Sequence, residues 1–134
     1  LKIALLAHTQ SASLTPQQRL AAIVEANFSD FQRSTATTGT WLSFWARAIH
    51  EPGLARLQHI NNRRLYSNLC YSFRQLLPAD AARDAAKQTA ALIDGFWLRS
   101  ALWPDQEQGF RESEALCKAF INDTLKQHGV QPCH

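Results

Sequence analysis

Apolar residues return at three- and four-residue intervals through most of the chain, and no stretch alternates polar with apolar positions. The pattern predicts helices throughout and no strands. Residues 1–10 read as the tail of a helix, broken by Ser11, Ala12, Ser13 and Leu14. Thr15 and Pro16 begin a new one. Pro16 suits the first helical position because the N–H it lacks would have no intrahelical partner there, and Gln18 completes a capping box with Thr15. Leu20, Ile23, Val24 and Phe28 supply the apolar face, and the helix ends near Phe28.

A Ser/Thr-rich loop over 29–38 leads to a third helix that contains Trp41 and Trp45 and stops at His50, ahead of Pro52. Pro52 and Gly53 restart the chain, and a long helix is expected over 54–77, closed by Pro78. A fifth spans 79–102, closed by Pro104. The last runs over 107–128 with a stripe of Phe110, Cys117, Phe120, Ile121 and Leu125, and Gly129 is placed to end it as the left-handed residue past the cap. The expected fold is an all-α domain of five to six helices. The 79–102 helix is apolar nearly all round and rich in Ala, with Gly95 open to a close backbone approach, so it is expected to be buried on more than one face. One face would meet the core and another a second subunit; full enclosure inside a monomer is the alternative.

Length and charge narrow the class. A chain of 134 residues suits a single domain that buries roughly 68–70% of its unfolded surface. It opens at Leu1 and has no Met, which reads as a piece of a longer protein. The excess of three positive charges looks small and scattered, without the cluster of a nucleic-acid footprint, so nothing argues that this piece alone binds DNA, RNA or a membrane. Cys70, Cys117 and Cys133 are odd in number and form no CxxC pair; Cys70 and Cys117 read as small buried hydrophobes. With no membrane-length apolar run and no signal peptide pattern, the chain reads as soluble and cytoplasmic.

Motifs of catalysis are missing. The five glycines are isolated, the five histidines lack zinc-site spacing, and no second inward acid accompanies Asp94. No enzyme, cofactor or metal is expected. Asp94 itself stands out: a carboxylate set in the apolar run Ala90-Ala-Leu-Ile-Asp-Gly-Phe-Trp-Leu-Arg99, with no cation three or four residues away. Desolvating such a charge costs several kcal/mol unless a cation or hydrogen bonds offset it. Its partner is either an arginine of another helix or subunit (Arg64, Arg74 or Arg99) or a ligand. Trp41 and Trp45 share a helix face, Asn62 and Tyr66 share another, and Trp97 neighbours Asp94. Each ring alone is ordinary core filling. Together with an unpaired acid they suit a cationic guest, since a ring face attracts a cation by roughly 0.5–2 kcal/mol.

The blocks Thr40-Trp-Leu-Ser-Phe-Trp-Ala46, His50-Glu-Pro52, Leu57-Gln58, Arg63-Arg-Leu-Tyr-Ser-Asn-Leu69, Phe73-Arg74, Leu77-Pro78 and the run from Ala90 to Arg99, in this order, resemble the regulatory domain of the TetR family of transcriptional repressors. The likeness lies with the branch that controls choline-to-glycine-betaine synthesis, and it covers roughly residues 20–102. It implies a homodimeric regulator whose operator DNA is read by an N-terminal helix-turn-helix domain absent from this chain. Residues 1–12 would be the end of the linking helix, and residues 13–134 the ligand-binding and dimerisation domain. The last two helices would form a four-helix bundle with their mates. Choline would be the inducer, with Asp94 facing the ammonium, Trp41, Trp45 and Trp97 as ring walls, and Asn62 or Tyr66 on the hydroxyl. Alternatives are a different small ligand on the same fold, or a structural helical module whose Asp94 pairs with arginine.

Overall fold

The computed structural model describes residues 14–29, 43, 46, 47 and 50–130. Among them the chain is all helical, with α1 at Pro16–Ser29, α2 at Pro52–Arg74, α3 at Ala79–Ala101 and α4 at Gln106–Gln127. The helix expected over 1–10 lies outside the described residues, as does most of the one around Trp41 and Trp45, although Ser43, Ala46 and Arg47 are helical.

Local chemistry accounts for the helix ends. The Thr15 hydroxyl accepts from the Gln18 backbone N–H at 3.1 Å, and the Gln18 side-chain oxygen accepts from the Thr15 N–H at 2.9 Å, the reciprocal capping box expected there. The long helix begins two residues before the predicted 54 because Pro52 is itself accepted in the first turn. It also ends three residues before the predicted 77. Residues ahead of a proline are pushed out of the α region, and the chain tightens through Gln75 N–H to Ser72 C=O (3.3 Å) and Leu76 N–H to Phe73 C=O (2.9 Å). Leu77 is therefore a buried turn residue rather than a helical one. Asp105 starts α4 by accepting from the Gln108 N–H at 3.1 Å. Gly129, at φ 78°, ends it in a Schellman motif: Gly129 N–H donates to Lys126 C=O and Val130 N–H to Leu125 C=O, each at 3.0 Å.

Short turns fold α2, α3 and α4 back on one another, and α1 packs chiefly against α4 and α2. The core draws Leu20, Ile23, Val24 and Phe28 from α1, and Leu65, Leu69 and Phe73 from α2. Ala82, Ala86, Ile93 and Trp97 of α3 meet Phe110, Cys117, Ile121 and Leu125 of α4. Small residues bring α3 and α4 close: Ser100 and Ser113 share a buried 2.7 Å hydrogen bond, and a Cβ on Gly109 would stand 3.3 Å from the Ser100 backbone. Helix α3 is not enclosed. One face is core, while Asp84, Gln88, Ala91, Gly95, Leu98 and Leu102 run along the other in the open.

Candidate functional site

Asp94 rises from the α3 flank between the core face and the open face. It is partly buried, and desolvation pushes its carboxyl up to about 6 from an ordinary 3.8. Among the described residues Asp94 accepts no hydrogen bond and forms no ion pair. Arg64, Arg74 and Arg99, the arginines that could have neutralised it, are all exposed, and none of them reaches it within this chain. The intramolecular version of the arginine-paired reading is thereby corrected: here the acid is desolvated without a cation.

Trp97 lies one turn beyond Asp94 and is 5% exposed. Its ring tilts against Phe110 at 5.6 Å between centroids, and Phe110 in turn meets Phe28 at 6.4 Å. Trp97 is therefore a core residue first, and only ring surface left by that packing could meet a guest. Asn62 and Tyr66 stand one turn apart on α2, the neighbour of α3; Asn62 is exposed and Tyr66 half-buried. Asn62 and Trp97 each take part in a further interaction.

Helix register divides the two α2 residues. Counting from the turn at 75–78 with about 1.5 Å per residue, Asp94 lies about 5 Å farther along than Asn62 and about 10 Å farther than Tyr66. The surroundings of Tyr66 agree. Burial raises its phenol above the usual range, the Cys70 thiol adds to this through a hydrogen bond, and Arg83 and Arg74 pull the other way. Tyr66 thus belongs with Cys70 and the turn-side arginines, while Asn62 is about one turn nearer the acid along the helix direction. Trp41 and Trp45 lie outside the described residues. Cys117 is a buried small hydrophobe, as expected, its thiol pushed up to about 12 by desolvation, whereas Cys70 is only half-buried beside Tyr66.

Three features escaped the residue patterns. The Arg19 guanidinium lies 5.4 Å from the centre of the Tyr71 ring, and Lys118 of α4 pairs with Glu25 of α1 at 2.7 Å. Both join residues far apart in sequence, so no local spacing signals them. The third was legible: α2 contains four arginines and no acid, which a charge count taken helix by helix shows at once. Among the described residues no group of His, Cys, Asp and Glu could hold a metal ion, and no helix is long and apolar enough to cross a membrane.

A family model described as "BetI-type transcriptional repressor, C-terminal" matches residues 16–126. A protein named HTH-type transcriptional regulator BetI from Pectobacterium carotovorum is 56% identical over 106 residues, covering 79% of this chain and 53% of that protein. Proteins of the same name from Burkholderia thailandensis and Yersinia pestis are 57% and 51% identical over 95 and 112 residues. These cover 71% and 84% of this chain, and 49% and 54% of the relatives. The chain thus spans about half the length of the curated relatives it matches. These relatives are named as transcriptional regulators, not as enzymes. No solved structure gives a significant match.

Proposed function

The chain belongs to the BetI-type transcriptional repressors of the TetR family, over their C-terminal domain, and from that premise we propose that it senses a small cationic effector, choline, and dimerises. The observation that carries the reading is Asp94: a desolvated carboxylate with no cation against it among the described residues. A quaternary ammonium supplies the missing charge without needing a hydrogen-bond acceptor, and aromatic faces favour it further. Trp97 would offer what ring surface its core packing leaves, Trp41 and Trp45 the remaining walls, and Asn62 the contact to a hydroxyl. Tyr66 takes second place for that contact because helix register sets it farther from the acid than Asn62.

The outer side of α3 supports dimerisation. Leu98, Leu102 and Trp103 are 38%, 70% and 58% exposed, and Leu116 on α4 is 45% exposed. Exposed large apolar side chains of this kind suit a contact site. A Cβ on Gly95 would meet nothing, so a neighbouring helix could approach its backbone closely. A second copy contributing its own α3 and α4 would make a four-helix bundle.

The relatives are named as helix-turn-helix regulators, so in the whole cytoplasmic protein a preceding reading head would contact operator DNA. The effector would release DNA only as far as it prefers the conformation whose paired heads no longer match the half-sites. Genes of glycine betaine synthesis are the proposed target. Titration calorimetry on the 134-residue chain with choline and with its uncharged isostere 3,3-dimethylbutan-1-ol tests the effector. Heat with choline and none with the isostere is expected; a folded chain giving no heat at millimolar choline refutes it.

A further inference from the structure

Positive charge that looks scattered over the whole chain is concentrated on one helix. Helix α2 carries Arg56, Arg63, Arg64 and Arg74 and no Asp or Glu, while the rest of the chain has ten Lys and Arg against eleven acids. Arg56, Arg63 and Arg74 are seven and eleven residues apart, spacings that return to the same side of a helix, opposite the buried Leu65 and Leu69. All four arginines are exposed, and among the described residues none is in an ion pair. Outside the described residues the only acid is Asp30, so little carboxylate remains to neutralise them.

We infer that the outward face of α2 is a second nucleic-acid contact, holding the phosphate backbone of duplex DNA beside the segment read by the helix-turn-helix heads. The inference departs from the expectation that this piece alone carries no footprint on nucleic acid. The cations on this helix are all arginine, whose planar fork matches a phosphate, and none is lysine. Ser67 and Tyr71 on the same outer side are exposed hydroxyl donors of the kind that position a backbone. Arg56 to Arg74 extends about 27 Å, the length of about eight base pairs. An acidic protein is the poorer fit. Among the side chains described on this helix the large exposed apolar ones are Ile60 and Tyr71, few for the desolvated centre of a protein interface. The contact would be sequence-independent and salt-sensitive, adding affinity to an operator complex without choosing the operator.

The inference presumes the DNA-regulator reading but not choline, and its test uses no effector. A fluorescein-labelled duplex of random sequence is titrated with the 134-residue chain by anisotropy, at low salt and then across rising NaCl. Binding is expected at low salt, with log affinity falling against log salt at a slope of about −3. Replacing Arg56, Arg63 and Arg74 by Glu should lower affinity by about tenfold or more and flatten the slope, with helicity checked by circular dichroism. A control that reverses Lys87, Arg111 and Lys126, exposed on α3 and α4, should bind nearly as the parent does. Three results overturn the inference: no duplex binding at low salt, equal losses in both triple variants, or tighter binding of polyglutamate than of the duplex.

Discussion

Asp94 carries its charge at a cost that the chain by itself does not offset, and this makes its two interpretations separable. Its folded-state carboxyl titrates near 6 against 3.8 in the unfolded chain. The folded state therefore holds the proton more tightly, so this group favours folding more as pH falls through about 6, fully below about 4, and the gain is lost as pH rises. Asp94→Asn removes the unpaired charge. The variant should be more stable than the parent at pH 7.5, by roughly 1–2 kcal/mol, with the gap closing near pH 4 in urea melts. A loss of stability instead would mean that the carboxylate has a partner, as the arginine-paired module requires. Effector binding should move oppositely. On the proposed reading choline needs the ionised form, so its affinity should hold above about pH 7 and fall by about tenfold per unit well below 6; a calorimetric affinity flat from pH 8 to 5 would remove Asp94 from the site.

At the level of the helices, stability rests on ends as well as on the core. Gly129 sits at φ 78°, where an L side chain is strained, and its N–H and that of Val130 close α4. Gly129→Ala should cost about 1 kcal/mol in thermal or urea unfolding, and Thr15→Ala a similar amount through loss of the capping box. An unchanged midpoint in either variant would show that the end frays without consequence. Those ends were legible because a cap is chemistry within four residues: Thr15 with Gln18, Asp105 with Gln108, Gly129 with Lys126. The candidate site was legible only in part. Asp94 could be singled out from its apolar neighbours, and the nearness of Tyr66 to Cys70 follows from their four-residue spacing, but the core packing of Trp97 against Phe110 depends on how α3 and α4 pack. Residue type and spacing do not contain that information. The basic face of α2 was hidden for a different reason, since charge averaged over the whole chain cancels what one helix concentrates.

For the whole molecule, core and contact surface are divided along a single helix. Ile93, Trp97 and Ser100 of α3 face inward, while Ala91, Gly95, Leu98 and Leu102 repeat at alternating intervals of four and three on the open side, the spacing of a helix-packing seam. Behind that seam the Ser100–Ser113 hydrogen bond and the close approach at Gly109 hold α3 and α4 at a set separation, and Lys118 on α4 reaches Glu25 on α1. A second copy docking on α3 and α4 would thus rest on a surface braced from within. Leu98→Glu with Leu102→Glu places two carboxylates in the seam while leaving the core untouched. In light scattering, the parent chain should run at about twice its 15.1 kDa mass and the double variant at that mass, with helicity unchanged. A parent already monomeric at tens of micromolar would assign these leucines to some other contact. A variant still dimeric would place the two-fold elsewhere, because two desolvated charges facing their own copies cost several kcal/mol and no apolar seam of this size withstands that.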